Sequence, residues 1–231
     1  MNFESQIETF LFVGKKKFSI SVFKGDDQKI YNKEFYLDDN NIFIEELYSF
    51  LELTILDIEK NINQFINTVN LILEDEHFLK IDVSINNTKN NEKIFKQDVE
   101  YLIVDLKNKI QENNDNFTIT SIYINNFKVK NEVFYDFDKI TSGKNLKIET
   151  TFECVSNKFK NILNNELFKL EININKFIST GAIQGFLLDN KFDECSAAAQ
   201  SFYDNSVNEV YLVSKNHVKK GFFEKFFHIF S

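Results

Sequence analysis

Residues 9–36, TFLFVGKKKFSISVFKGDDQKIYNKEFY, hold three apolar-rich runs in close succession. The runs cover 9–14, 17–24 and 28–36, and they are separated by GKK and KGDDQ. Short runs rich in β-branched and aromatic residues are typical of strands, and the glycine and aspartates of KGDDQ favour a hairpin turn. This stretch therefore predicts a sheet that opens with three strands.

The residues that follow predict helices and then another strand. Segments 42–53 and 55–73 carry apolar residues at helical spacing, in the second case Ile55, Ile58, Ile62, Phe65, Ile66, Val69, Ile72 and Leu73. Residues 80–86, KIDVSIN, alternate apolar and polar side chains as a half-buried strand does. The first third of the chain thus predicts three strands, a helical stretch and a strand.

A second group of elements begins after the polar stretch 87–91. Its pattern predicts helix, strand, strand, helix and strand, at 93–111, 117–129, 146–155, 156–167 and 170–177. A loop through 136–144 joins the two middle strands, a helix is predicted at 180–188, and a short strand at 210–213. This order predicts the α+β class.

Composition excludes some functions. The net charge of −8 and the absence of arginine disfavour nucleic acid, whose phosphates need a basic surface. Cys154 and Cys195 have no metal-ligand spacing and are expected to be reduced thiols. The start of the chain has no signal-peptide pattern, and no stretch approaches the roughly 20 apolar residues of a transmembrane helix. We therefore expect a cytosolic body.

Candidate chemistry within the body is sparse. His77 lies beside Glu74, Asp75 and Glu76, which favours a solvated helix end over a metal site because no other ligands are evident. The segment STGAIQG at 179–185 matches no phosphate-binding fingerprint and favours close packing of a helix on a sheet. No nucleophile has a base in a recognisable motif. The sequence predicts no catalytic residue, no metal and no enzyme activity.

The stretch 219–231, KKGFFEKFFHIFS, predicts an amphipathic helix. With a step of about 100° per residue, its large apolar side chains fall within an arc of about 160°. Lysines before and beside that arc suit an anionic membrane surface. The predicted membrane-binding residues are Lys219, Lys220, Phe222, Phe223, Lys225, Phe226, Phe227, Ile229 and Phe230. The alternative is a final helix that packs on the core of its own protein.

The order of elements resembles FtsA, the bacterial actin-like protein that ties the FtsZ ring to the inner membrane. The match is best in residues 119–188, from ITSIYINNFKV through the strand LEININKF to GAIQGFLL, and the resemblance covers residues 9–189 and the stretch 219–231. The resemblance implies a partial actin-like (ribonuclease H-like) subdomain with an inserted subdomain of the FtsA 1C (SHS2-like) type. It also implies an amphipathic helix at the end.

The segment FVGKKKFSI departs from this family. Actin-like proteins hold phosphates and magnesium with an Asp-x-Gly-Thr/Ser segment here, whereas this sequence keeps only Gly14 as a degenerate remnant. The second nucleotide loop, Asp–Gly–Gly–Gly–Thr, is missing, and we expect no second actin-like domain. The family implies ATP as a cofactor, but these departures predict none.

The resemblance divides the chain into four parts. Residues 1–89 would be the first part of actin-like subdomain 1A, 90–177 the inserted 1C-like subdomain, 178–214 the return to 1A with a linker, and 215–231 the membrane-targeting tail. It also implies contacts with partners or with a second copy through the 1C-like subdomain. The candidate residues for those contacts are Phe127, Lys128, Phe134, Tyr135 and Phe137.

The predicted function is therefore a non-enzymatic cell-division scaffold. It would tether ring proteins of the FtsZ class to the cytoplasmic face of the inner membrane as a peripheral protein. Two alternatives stay open. One is a pilus-assembly type of actin-like adaptor that binds the cytoplasmic peptide of a membrane protein. The other is a soluble small-molecule enzyme whose last helix packs on its own core.

Overall fold

The computed structural model describes residues 7–25, 28–38, 43–87, 93–140, 145–190, 192–205, 208–213 and 219–224. The strands are β1 (Ile7–Val13), β2 (Lys17–Lys24), β3 (Gln28–Tyr36), β4 (Thr68–Leu73), β5 (Phe78–Asn86), β6 (Phe117–Val129), β7 (Glu132–Phe134), β8 (Leu146–Ser156), β9 (Asn173–Ser179), β10 (Asn208–Val213) and β11 (Lys219–Glu224). The α-helices are α1 (Phe43–Ile62), α2 (Lys96–Glu112), α3 (Asn157–Phe168), α4 (Gln184–Asn190) and α5 (Glu194–Asn205). The α+β class predicted from the sequence is confirmed, with two mixed sheets.

The chain forms two compact units, each built from two separate segments. Unit 1 comprises Met1–His77 with Lys158–Ser206, and unit 2 comprises Phe78–Asn157 with Val207–Ser231. The predicted boundaries at 89/90 and 177/178 differ from these. Strand pairing is the reason: β5 pairs with β8 in unit 2, whereas β9 pairs with β4 in unit 1.

The sheet of unit 1 has the order β3-β2-β1-β4-β9. The first three strands are antiparallel neighbours, as residues 9–36 predict, and β1, β4 and β9 run parallel to one another. The prediction of a helix through 55–73 is wrong after Ile62, because 68–73 form β4. A parallel strand covered on both faces is a continuous apolar run, which periodicity alone does not separate from a buried helix.

Helices cover both faces of this sheet. Phe10 and Phe12 belong to a buried cluster with Cys195 of α5. Phe18 instead lies 6.1 Å, between ring centroids, from Phe50 of α1, and Phe18 is the partner of Val13 in the strand register. Because successive strand residues point to opposite faces, α1 and α5 cover opposite sides of β1.

The sheet of unit 2 has the order β11-β10-β6-β8-β5, with β7 paired to β6. Helix α2 packs on one face through Val99 and Ile103, in a cluster that includes Ile148 and Phe152 of β8. The intervening residues of β8 place Glu149 and Thr151 on the other face, where they contact polar side chains of β5. The alternation of β5, β6 and β8 predicted from the sequence is therefore real, with one apolar and one polar face.

The predicted amphipathic helix is wrong for residues 222–224, because 219–224 form β11. Strand β11 runs antiparallel to β10, with Gly221 opposite Tyr211 and Lys219 opposite Val213. In β11 the backbone amides and carbonyls form hydrogen bonds with β10 instead of forming the internal hydrogen bonds of a helix. Strand pairing therefore prevails over the helical spacing of the phenylalanines there. The predicted residues Lys225, Phe226, Phe227, Ile229 and Phe230 lie outside the described residues. Among the helices that the structure describes, none is both long and apolar enough to span a bilayer.

Candidate functional site at the strand ends of unit 1

The three parallel strands of unit 1 end side by side. Val13 of β1 is the register partner of Leu73 of β4, and Leu73 is the partner of Ser179 of β9. Ligands of open parallel sheets bind beyond the carboxyl ends of such strands. The residues after these positions, which begin at Gly14, Glu74 and Thr180, therefore form the candidate site of unit 1.

Gly14 begins a tight connection between β1 and β2. Its amide donates to the carbonyl oxygen of Lys17 at 3.1 Å. A Cβ at this position would lie 2.5 Å from Cζ of Phe12 and 3.2 Å from Oε1 of Glu74. Glycine is thus required by close packing of the turn, and its neighbour is a carboxylate rather than an open cradle for phosphate.

Lys15 connects this turn to the end of β4. Its backbone amide donates to Oε2 of Glu74 at 3.2 Å, and its ammonium group donates to Oε2 of Glu76 at 2.7 Å. The hydrogen bond that Lys15 donates to Glu76 raises the pKa of the exposed Lys15 ammonium above its ordinary value. Both donors of Lys15 are therefore directed at carboxylates of the neighbouring segment.

A second pair of contacts connects the end of β4 to the end of β9. The amide of Asp75 donates to Oγ1 of Thr180 at 3.1 Å, and the amide of Gly181 donates to Oδ1 of Asp75 at 3.2 Å. A Cβ at Gly181 would collide with the Asp75 carboxylate. The segment at 179–185, expected from sequence to be a packing segment, therefore also forms one wall of the candidate site.

Glu74, Glu76 and His77 could supply ligands to a metal ion, since their ligand atoms all lie within 4.8 Å of one another. The His77 ring stacks on Phe159, with 4.6 Å between centroids and 10° between planes. Lys15 nevertheless pairs with Glu76, so a cation would have to displace an ammonium group. The prediction from sequence placed His77 at a helix end, whereas it closes a 3-10 turn (Asp75–His77) between β4 and β5.

This arrangement opposes binding of a polyphosphate. Phosphate loops present backbone amides to the anion, with no carboxylate in front of them. Here the amides of Lys15 and Gly181 already donate to carboxylates, and Glu76 adds a third negative charge. A nucleotide phosphate would lose those donors and meet like charge, so the geometry is suited to holding the strand ends together.

Of the candidate partner-binding residues in unit 2, some are buried in the core and others are exposed at the surface. Phe127 is fully buried, and Phe137 packs against its ring at 5.7 Å, so the Phe127 side chain offers no docking surface. Lys128 donates to Glu149 at 3.0 Å, Phe134 is partly buried, and Tyr135 is 38% exposed. Of the candidate membrane residues, Lys219, Lys220, Phe222 and Phe223 are in β11.

The two cysteines are structural. Burial raises the pKa of the Cys154 thiol and of the Cys195 thiol to about 11. Cys195 Sγ lies 3.5 Å from the carbonyl oxygen of Phe10, beneath α5. Both thiols are therefore protonated at neutral pH, as is usual for buried structural cysteines.

The carboxylates of the strand-end site were missed in the sequence because β4 was missed. The segment LEDEH at 73–77 follows a strand rather than a helix, which places its acidic residues at the carboxyl edge of the sheet. The usable signal was the stretch 69–73, VNLIL, which is short, apolar apart from Asn70, contains two β-branched residues and is directly followed by charged residues.

No protein-family model matches the chain, and no curated protein matches it. Solved structures match it at low sequence identity. The cytoplasmic domain of EpsL, an inner membrane component of the type II secretion system of Vibrio cholerae, is 11% identical, with a TM-score of 0.39 over 77% of this chain and 57% of that one. A PilM–PilN type IV pilus biogenesis complex is 6% identical, with a TM-score of 0.48 over 80% of this chain and 50% of the solved one.

A third solved structure comes from Bacteroides thetaiotaomicron and is described as a protein with an actin-like ATPase fold and unknown function. It is 13% identical, with a TM-score of 0.34 over 83% of this chain and 60% of that one. The chain therefore spans only 50% to 60% of the three solved chains. FtsA is not named among these three proteins.

Proposed function

We propose that the chain is a non-enzymatic adaptor with a partial actin-like fold, which binds protein partners at the cytoplasmic face of a membrane. The strand order β3-β2-β1-β4-β9 and the interruption of unit 1 between β4 and β9 support the actin-like assignment, since FtsA resembles this chain in an insert of that kind. In its finer form the proposal assigns the chain to cell division, as a scaffold for a protein of the FtsZ class.

The observation that carries the proposal is the closure of the strand ends by carboxylates. Donation from the Lys15 amide to Glu74 and from the Gly181 amide to Asp75 uses the donors that an actin-like ATPase would direct at phosphate. A fold that keeps its sheet but has carboxylates where phosphate would lie can still offer surfaces for binding other proteins. Binding of proteins therefore accounts for the structure better than turnover of ATP.

Unit 2 supplies the surface for partners. The β6–β7 hairpin pairs Lys128 with Val133 and Phe127 with Phe134, and Val133 is 47% exposed at its end. Tyr135 follows with 38% of its surface exposed. Exposed apolar and aromatic side chains next to charged Lys128 are the mixture from which interface centres are built.

Attachment to the membrane is assigned to Phe226, Phe227, Ile229 and Phe230, with nearby lysines facing anionic head groups. Burial of four such side chains supplies roughly 6–12 kcal/mol before the cost of ordering the segment, which is of similar size. Attachment by one copy is therefore weak and reversible, and several copies on one partner polymer would make it firm.

The test is a bridging experiment with purified components. Anionic vesicles, a polymerised protein of the FtsZ class and the full chain are mixed and floated on a density gradient. The adaptor proposal predicts that the polymer floats only when the chain is present and that Phe226→Glu prevents it without lowering the melting temperature. Flotation of the chain without the polymer would leave membrane binding intact and refute the cell-division assignment.

The pilus-assembly alternative gains from one observation. That alternative predicts no amphipathic helix in the tail, and residues 219–224 do form a strand of unit 2. It would be established by saturable binding of a cytoplasmic peptide from a pilus membrane protein together with no recruitment of the FtsZ-class polymer. Recruitment without peptide binding would eliminate it.

A further inference from the structure

Strand β5 is an edge strand with an accessible surface. Among the described residues it pairs with β8 alone, over its whole length from Phe78 to Asn86. Every residue from 79 to 86 is exposed or partly exposed, and Leu79 is 42% exposed. Such a strand offers a row of backbone donors and acceptors to a further strand.

The two faces of β5 differ in chemistry. Ile81, Val83 and Ile85 point to the apolar face, where they pack against the buried cluster of unit 2. Lys80 and Asp82 point to the polar face and are both exposed. On that face the Lys80 ammonium lies 4.0 Å from Glu153, and Asp82 accepts a hydrogen bond from Thr151. Lys80 and Asp82 are thus oriented by contacts with β8, and both side chains remain exposed to solvent.

The order of residues in β5 is complementary to itself. In an antiparallel pair related by a two-fold axis, one residue lies opposite its own copy, and the residues on either side lie opposite each other. With Ile81 at the axis, Lys80 lies opposite Asp82 of the second copy, and Asp82 lies opposite Lys80. On the other face Leu79 lies opposite Val83 in the same register. The two pairs beside the axis therefore join opposite charges or two apolar side chains, and beyond them Phe78 lies opposite Ser84.

Neighbouring two-fold registers lack this match. An axis at Lys80 places two ammonium groups opposite each other, and an axis at Asp82 does the same with two carboxylates. An axis at Val83 places Asp82 opposite Ser84 and leaves Lys80 opposite Asn86, with no ion pair. Like charges opposite each other destabilise a sheet, so the sequence of β5 selects the register centred on Ile81.

We propose that a second copy of this chain binds along β5, in the antiparallel register centred on Ile81, to form a two-fold dimer with one sheet continuous through both copies. The interface uses residues 78–84 of each copy and covers the exposed Leu79 side chain. It is separate from the β6–β7 hairpin assigned to partners and does not rest on the proposed function. A dimer would also double the number of attachment segments on each assembly, which raises avidity.

The first test exchanges charges in the full chain. Sedimentation velocity of the wild-type chain at about 100 µM should show a dimer. Lys80→Glu creates two like-charge pairs and should weaken dimerisation by about tenfold or more, and Asp82→Lys should do the same. The double variant Lys80→Glu/Asp82→Lys restores both attractive pairs and should restore the dimer. Lys33→Glu, with the same charge change on the exposed edge strand β3, is the matched control and should leave the dimer unchanged.

The second test reads the register directly. Ile81→Cys places two thiols opposite each other at the axis, within the 4.4–6.8 Å Cα separation that disulfides need, so mild oxidation should give a covalent dimer. Val83→Cys is the control, because its opposite residue is Leu79 and its own copy lies about 13 Å away. A monomeric wild-type chain, a dimer insensitive to both charge reversals, or equal cross-linking at 81 and 83 would each overturn the proposal.

Discussion

Gly14 is the residue at which the turn after β1 is most tightly packed. A Cβ there would lie 2.5 Å and 2.7 Å from ring atoms of Phe12, which is 4% exposed and held in the core. We predict that Gly14→Ala lowers the free energy of unfolding by about 1–3 kcal/mol, because a packed ring has to move. Gly185→Ala is the control, since nothing lies within 4 Å of its added Cβ and the residue is in α4. Urea denaturation measures both, and equal effects would contradict the packing argument.

Glu149 makes the free energy of unfolding depend on pH in the acidic range. A hydrogen bond from Ser84, together with those from Lys128 and Lys147, lowers the pKa of its carboxyl from 4.5 to about 2. A lowered pKa in the folded state contributes stability above the unfolded pKa and loses it as the pH falls towards the folded one. The contribution should therefore be complete above pH 4.5 and disappear towards pH 2.

The corresponding variant is Glu149→Gln. At pH 7 it should be less stable than the wild-type chain by about 1 kcal/mol, since solvent screens this partly exposed site. The difference should shrink as the pH is lowered from 4.5 to 2. Thermal unfolding across that range measures it, and a difference that stays constant with pH would show that the ionised carboxylate is not the stabilising form.

Helix α5 is the element that the sequence pattern did not predict and that closes one face of unit 1. Asp193 precedes it, accepts a hydrogen bond from the Ser196 amide at 2.9 Å and pairs with Lys29 of β3 at 2.6 Å. We predict that Asp193→Ala destabilises the chain by about 1–2 kcal/mol, because it removes the cap and the ion pair together. Asp193→Asn keeps a capping oxygen and should cost less than half as much. Equal losses in the two variants, measured by urea denaturation, would exclude a capping role.

Strands that alternate apolar and polar residues or that are bounded by turn residues were predictable, including the buried β1 and β2, whereas β4 and β11 were not. β2, β3, β5, β6 and β8 follow their predicted ranges closely, because one face of each is more exposed than the other or because turn residues bound them. β4 is covered on both faces and lacks alternation, so its residues were assigned to a helix. β11 was assigned to a helix because the spacing of its phenylalanines reflects only local sequence. Its pairing with β10 is a tertiary contact that this spacing does not reveal.

The candidate site was predictable in one residue only. Gly14 was identified through its position between the first two strands. Glu74, Asp75 and Thr180 come together because β1, β4 and β9 are adjacent in the sheet although they are far apart in the chain. Residue spacing in the sequence does not predict which strands are neighbours in the sheet. The division into units has the same origin, because β5 and β9 join different sheets.

At the scale of the whole molecule, the chain is acidic and lacks arginine, and its own carboxylates accept hydrogen bonds at the ends of the parallel strands of unit 1. The net charge of −8 already disfavours anionic ligands, and the carboxylates of Glu74, Asp75 and Glu76 at the strand ends add a local barrier. We propose that protein partners bind the β6–β7 hairpin and that a second copy binds the edge of β5. The central claim is therefore that this site does not take nucleotide.

The most direct test is a calorimetric titration of the full chain with magnesium and ATP. The account predicts no saturable binding up to about 1 mM, a concentration at which even a weak site worth about 4 kcal/mol would be half filled. Glu74→Ala, which frees the Lys15 amide, should permit more binding than the wild-type chain. Saturable binding of ATP by the wild-type chain in the micromolar range, lost on Gly14→Ala, would contradict the account and indicate an active nucleotide site.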